Sequence, residues 1–187
     1  MHYYSQLGQD SIVDFTFKGK NNGFFLDVGA SFWDRFSNTY FFEKYRNWRG
    51  IGVDLEPSYL EDWRSNRHNS VLYIDDATKI DYQHILDVNN APNVVDYLSI
   101  DVDPPTTLSL DALYKIFQTN RIFNVITFEC DYGGDVECNF TRKGTRDESR
   151  EFLKSKGYIL VQEIYDRGKP WYHVDDLWIL KSYKDSL

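Results

Sequence analysis

Hydrophobic positions fall into short continuous runs separated by segments in which they recur every three or four residues, and the two kinds alternate along the chain. The runs Phe24 to Val28, Ile51 to Val53, Ser70 to Ile74, Val94 to Val102, Asn124 to Phe128, Tyr158 to Ile164 and Leu177 to Lys181 have the length and the β-branched, aromatic content of buried strands. Between them the spacing predicts helices over 8–17, from about Ser37 to Trp48, from Pro57 to Arg67, from Asp81 to Val88, through Leu108, Leu110, Leu113 and Ile116, and over 147–157. Lys20-Asn21-Asn22-Gly23, Gly50, Asn89 to Asn93, Pro104-Pro105 and Gly157 punctuate them. Strands alternating with helices predict one α/β domain over residues 1–187, a mostly parallel seven-stranded sheet with helices on both faces. The last two strands are separated by about a dozen residues with no helical pattern, too few for a crossover, so the final strand is expected to be antiparallel.

The strand ends carry the chemistry. The first strand closes with Asp27 and Gly29, the second with Asp54, the third with Asp75-Asp76, the fourth with Asp101 and Asp103, the fifth with Glu129 and Asp131. In such a sheet ligands bind beyond the carboxyl ends of the strands, and an acid about 25 residues after the first tip is placed to accept hydrogen bonds from ribose hydroxyls. Asp27, Gly29, Asp54 and Asp76 are therefore candidates for one nucleoside pocket, with Asp54 on the ribose and Asp76 beside the base. The loops 131–146 and 165–176 bracket the same end of the sheet. They offer the aromatic faces Tyr132, Trp171 and Tyr172 beside Asp131, Arg142, His173 and Asp175, a mixture suited to the C–H faces and hydroxyl edges of a sugar.

Composition narrows the classes. With 29 acidic and 21 basic side chains, net charge −8, the chain lacks the basic excess of a sequence-independent nucleic-acid binder. No apolar run approaches the roughly 20 residues of a membrane span, and no signal-peptide pattern opens the sequence, so a cytoplasmic protein is expected. The two cysteines, Cys130 and Cys138, imply no disulfide framework and match no four-ligand zinc spacing; Cys130, at the end of a buried strand, reads as a small core residue. An aromatic content of 17% is mostly core, with a minority left for stacking on loops.

The segments Ser5-Gln6-Leu7-Gly8-Gln9-Asp10, Phe25-Leu26-Asp27-Val28-Gly29-Ala30, Ser37-Asn38-Thr39 with Glu43-Lys44, Trp48-Arg49-Gly50-Ile51, Asp96 through Asp103, Glu129, and Ser149-Arg150 before Leu153 and Gly157-Tyr158 resemble, in order and spacing, the FkbM-type S-adenosylmethionine-dependent methyltransferases. The resemblance spans nearly the whole chain. It implies the Rossmann-like class I methyltransferase sheet, S-adenosylmethionine as methyl donor, and a sugar or secondary-metabolite hydroxyl as acceptor. It also adds Gln6, Ser37 and Asp101 to the residues expected at the donor. The chain departs from the family at Ser31-Phe32-Trp33, where Asn-x-Gly is usual, and at Asp103-Pro104, where Glu-Gly is usual.

Methyl transfer from a sulfonium is an in-line displacement, so positioning supplies much of the catalysis, and a sugar hydroxyl needs a base or a metal to take its proton. Asp101 and Asp103 lie on one side of their strand, and Glu129 and Asp131 do likewise on the next. Asp101, Asp103 and Glu129 are thus candidate Mg²⁺ ligands, and Asp101, Glu129 and His173 are candidate bases. His2, His68 and His84 suggest no role. The alternative class is a domain of the same fold, degenerate at Trp33, that binds a nucleoside or a partner without catalysis. An NAD-dependent oxidoreductase is disfavoured because Gly-x-Gly-x-x-Gly is missing after the first strand.

Overall fold

The computed structural model describes residues 1–102, 107–133, 145–169 and 172–187, with residues 131–133 as backbone alone. In chain order the elements are α1 (Gln9–Thr16), β1 (Phe24–Val28), α2 (Tyr40–Arg46), β2 (Arg49–Asp54), a 3₁₀ turn (Pro57–Tyr59) leading into α3 (Leu60–Asn66), β3 (Ser70–Ile74), α4 (Tyr82–Val88), β4 (Val94–Ile100), α5 (Thr107–Ile116), β5 (Ile122–Gly133), α6 (Thr145–Ser155), β6 (Tyr158–Tyr165), β7 (Tyr172–Leu180) and α7 (Lys181–Lys184). The seven strands form one sheet in the order β3-β2-β1-β4-β5-β7-β6. Only β7 runs against its neighbours. The expected sheet, with its antiparallel last strand, is the sheet observed.

Alternation along the central strands splits the interior into two cores. Phe24, Leu26 and Val28 face the larger one with Leu98, Ile100, Leu110, Phe128 and Trp178, while Phe25 faces the smaller with Phe41, Phe42, Trp48, Tyr97 and Val125. Both faces of β1 are buried, which is why its sequence is apolar except at Asp27. At Gly50 an added Cβ would lie 2.4 Å from the Phe25 ring, so the small residue lets that ring lie flat against β2.

Several boundaries differ from the sequence expectation. Helix α2 starts at Tyr40 because the Ser37 hydroxyl accepts from the N–H groups of Thr39 (3.3 Å) and Tyr40 (3.1 Å), the work of a cap. Strand β5 continues to Gly133 and β7 begins at Tyr172, so the loop expected over 165–176 shrinks to residues 166–171 and His173 and Asp175 become strand residues. Lys181 opens a short helix instead of closing the last strand.

Candidate functional site

A cleft of about 500 Å³ opens at the carboxyl ends of β1, β2, β3 and β4. Gly29, Asp54, Asp76 and Asp101 from the four tips line it, together with Ser31, Tyr59, Thr78 and the apolar Leu55, Val102 and Leu108. Its size is that of a small-molecule site.

The floor is set by Gly29. Its backbone is left-handed (φ +80°), and an added Cβ would stand 1.8 Å from the Asp101 carbonyl oxygen. Only glycine lets β1 turn away at this point while the end of β4 closes against it. The turn is pinned on both sides, the N–H of Gly29 donating to the Val53 carbonyl (2.9 Å) and that of Asp101 to the Val28 carbonyl (2.8 Å).

Asp54 is held by main-chain donors. Its Oδ2 accepts from the Ser31 N–H (2.8 Å) and its Oδ1 from the Glu56 N–H (2.9 Å), which fixes the carboxylate at the cleft and leaves further lone pairs for a ligand. Ser31 itself is left-handed (φ 51°), an uncommon state for a residue with a side chain, and the Trp63 indole N–H donates to its carbonyl at 2.9 Å. Asp76 is fixed in the same local way. Its Oδ1 accepts from the N–H (2.9 Å) and hydroxyl (2.7 Å) of Thr78, and Lys79 donates to Oδ2 at 2.6 Å. The Lys79 and Thr78 hydrogen bonds hold the Asp76 carboxyl down to about 2.

A buried charged network supports the loop that carries Ser31. The Arg67 guanidinium, 2% exposed, donates to Glu43 (2.6 Å), the Trp33 carbonyl (3.0 Å) and the Thr39 hydroxyl (3.2 Å). Thr39 in turn donates to Asp27 at 2.6 Å. Glu43 also accepts from the Asn69 N–H and the Ser70 hydroxyl. Burial pushes the Asp27 carboxyl above its usual value, against the pull of Thr39 and Arg67.

The other residues expected at the donor do not line this cleft. Asp27 does not line the cleft; it faces Thr39 and the smaller core. The Ser37 hydroxyl accepts from the Thr39 and Tyr40 N–H groups at the start of α2, and Gln6 is an exposed residue that is not among those lining the cleft. Trp33 lies outside the cleft lining, its indole edge-on to Tyr40 with centroids 5.1 Å apart. A large ring in place of the family's glycine therefore leaves the cleft open.

At the other edge, Glu129 is buried on β5 opposite Asp175, and His173 is buried on β7 with its Nε2 at 2.9 Å from the Asp175 carbonyl and 3.0 Å from Asp176. His173, expected as a base on a loop at the ligand face, stands instead within a paired strand and is buried. Asp175 accepts from Gln9 at 2.8 Å, and Asp176 from Arg150 Nε at 2.7 Å and Nη2 at 2.8 Å. Backbone pairing sets Tyr132 opposite His173 and Gly133 opposite Tyr172. Asp103, Arg142 and Trp171 lie outside the described residues, and Asp131 and Tyr132 are described by backbone alone.

Sequence reasoning missed the Arg67–Glu43 network and the contribution of Tyr59, Thr78 and Leu108 to the cleft. Thr78, two residues after an acid, carries a local turn signature that was available; Arg67, 24 residues from Glu43, carries none.

No family model matches the chain, and no curated protein matches it in sequence. Solved structures match its fold. An rRNA methylase from Clostridium thermocellum, a putative assignment in its own description, superposes with a TM-score of 0.59 at 17% identity over 96% of this chain and 97% of that one. M. capricolum TrmK, in complex with S-adenosyl-homocysteine, gives 0.59 at 14% identity over 96% and 70%. The 1,6-didemethyltoxoflavin-N1-methyltransferase of Burkholderia thailandensis, also with S-adenosylhomocysteine, gives 0.54 at 15% identity over 92% and 76%. The fold of this chain is the Rossmann-like fold of S-adenosylmethionine-dependent methyltransferases.

Proposed function

We propose that the protein is an S-adenosylmethionine-dependent methyltransferase acting on a hydroxyl of a sugar or a glycosylated small molecule. The observation that carries the donor assignment is Asp54, whose carboxylate is fixed by two backbone amides at a β2 tip that opens on a cleft of about 500 Å³. Such an acid accepts two vicinal ribose hydroxyls without reorganising. Asp76 and the apolar Leu55 and Leu108 suit the base, and the approach of Gly29 to Asp101 suits the methionine end, where bulk would collide with backbone.

The bound donor supplies an electrophilic methyl group on a sulfonium. Asp101, at the β4 tip in the cleft lining, is the residue assigned to orient the acceptor hydroxyl and take its proton, alone or with Mg²⁺ shared by Asp103 and Glu129. The sugar assignment rests on the sequence resemblance and on the aromatic and polar residues expected at the acceptor side, Asp131, Tyr132, Arg142, Trp171 and Tyr172. A net charge of −8 speaks against an RNA acceptor, whose phosphates would be repelled. Among the described residues no helix is long and apolar enough to cross a membrane; a cytoplasmic location is part of the proposal.

Calorimetric titration with S-adenosylmethionine, with NAD in a parallel run, tests the reading. Saturable one-site binding of the donor and none of NAD is expected, followed by label transfer from methyl-labelled donor to a panel of sugars. A chain that binds donor but transfers no label to any acceptor supports the degenerate nucleoside-binding domain instead, and a chain that binds no donor removes the methyltransferase reading.

A further inference from the structure

Cys130, His173 and Asp176 do not line the donor cleft, and at the β5–β7 edge these three potential metal ligands meet. Cys130, His173 and Asp176 bring Sγ, an imidazole nitrogen and a carboxylate oxygen within 4.8 Å of one another, and all three residues are buried. Regular alternation does not achieve this. Cys130 follows Phe128 by two residues and Asp176 precedes Trp178 by two, so both share the face of the larger core, but a residue three before Asp176 belongs on the opposite face. The pairing breaks at that point. His173 and Asp175 face the consecutive residues Tyr165 and Ile164 on β6, leaving Val174 as an extra residue, and on the β5 side the register also shifts between Glu129 and Tyr132. Irregularities of this kind re-aim a side chain, here His173, towards the face of Cys130 and Asp176.

The separations suit a small cation. Sγ of Cys130 is 3.4 Å from Nδ1 and 3.7 Å from Nε2 of His173, and Nε2 is 3.0 Å from Asp176 Oδ1. A tetrahedral ion with a Zn–S bond near 2.3 Å and Zn–N and Zn–O bonds near 2.0 Å spans ligand-to-ligand edges of roughly 3.3 to 3.6 Å. The Nε2 edges straddle that range. Two carbonyls adjoin the same space, that of Asp175 at 2.9 Å from Nε2 and that of Val174 at 3.3 Å from Sγ. Arg150 grips the Asp176 carboxylate with Nε and Nη2 and also donates to Glu163 at 2.5 Å, which fixes the orientation of the oxygen that would coordinate. Arg150 offsets one of the two carboxylates it touches, Asp176 and Glu163, and the buried Glu129 and Asp175 stand at the same edge, so the surroundings favour a cation.

We propose that Cys130, His173 and Asp176 bind a single transition-metal ion, Zn²⁺ by the character of a thiolate, imidazole and carboxylate set, with the Asp175 carbonyl or a water as fourth ligand. Binding by Nε2 moves the imidazole proton to Nδ1 and releases the thiol proton to solvent, with no change of oxidation state. The ion staples β5 to β7 beside the acceptor end of the sheet.

The untagged full chain, stripped with EDTA and dialysed, is titrated with Co²⁺. Uptake of one equivalent is expected, with a near-ultraviolet thiolate-to-cobalt charge-transfer band and the visible bands of tetrahedral cobalt, bleached by one equivalent of Zn²⁺. Cys130→Ser should abolish the charge-transfer band and weaken cobalt binding about tenfold or more, whereas Cys138→Ser should leave both unchanged. Wild-type protein that takes up no Co²⁺, a band that survives Cys130→Ser, or a band lost with Cys138→Ser overturns the proposal. The wild-type titration decides by itself if Cys130→Ser fails to fold.

Discussion

The two edges of the sheet treat their acids in opposite ways. On the donor side, Asp54 and Asp76 are held at the rim of the sheet, Asp54 by the N–H groups of Glu56 and of Ser31 beyond the neighbouring β1, Asp76 by Thr78 and Lys79. They stay near solvent and line a cleft. On the β5–β7 side, Asp176 is fully buried and is held by Arg150 from α6. Acids fixed by main-chain amides are poised to meet a ligand, whereas acids neutralised by an arginine from another element have already met their partner. An acid at a strand tip is therefore a different object according to what holds it.

The contrast can be broken most forcefully at Arg150. Replacing it by Met leaves Asp176 without its bidentate partner in the interior, and a loss of about 3 to 5 kcal/mol is expected by urea denaturation, the usual cost of stripping one member from a buried ion pair. A loss below about 1 kcal/mol would mean that the edge relaxes to admit water, and the two sides would then not differ in kind.

Next in size is the cleft floor. Gly29→Ala sets a Cβ against the Asp101 carbonyl in a left-handed backbone, so about 3 kcal/mol of destabilisation is expected together with loss of donor binding. Wild-type stability in the alanine variant would show that β1 and β4 do not close as tightly as the geometry requires.

Asp54→Ala should separate binding from folding. Donor affinity should fall by roughly 1.5 to 3 kcal/mol, the scale of charge-assisted hydrogen bonds, with stability changed by less than about 1 kcal/mol. Calorimetry and thermal melts on one preparation check both halves, and an unchanged dissociation constant in a folded variant takes Asp54 out of the site.

The smallest effect is a titration. With its carboxyl held down to about 2, Asp76 contributes stability that is complete above its ordinary unfolded value and is lost as pH falls through about 2. Carboxyl NMR should find that midpoint, and Lys79→Ala should move it upward toward the ordinary aspartate range. A Lys79→Ala midpoint no higher than wild type would assign the depression to Thr78 alone.

How much of this was legible in sequence follows the same divide. The sheet was legible because strands buried on both faces leave predominantly apolar runs, and Asp54, Asp76 and Asp101 were legible because strand tips in parallel sheets are where ligands bind. The extensions of β5 and β7 were not. Glu129, Asp131, Asp175 and Asp176 interrupt the apolar pattern, and the charge that makes Asp176 tolerable in a strand comes from Arg150, 26 residues away, with no local trace. His173 reads as a loop base for the same reason. Ser37 is a different case, since its hydroxyl accepts N–H groups at the start of α2, a local role its place before an aromatic helical run signals, while its ligand role comes from the family resemblance.

The sheet order has a consequence for the birth of the protein. Strand β7 is made after β5 and β6 yet lies between them, so as the chain leaves the ribosome β5 and β6 emerge with a vacant slot where their shared neighbour belongs. The β3-β2-β1-β4-β5 half has all its pairings by the time residue 133 is out. Until residues 172 to 180 follow, two strand edges carrying Glu129, Glu163 and Tyr165 stay open to other chains, and the polar side chains that puzzle the strand pattern there are of the kind that keep such edges from aggregating.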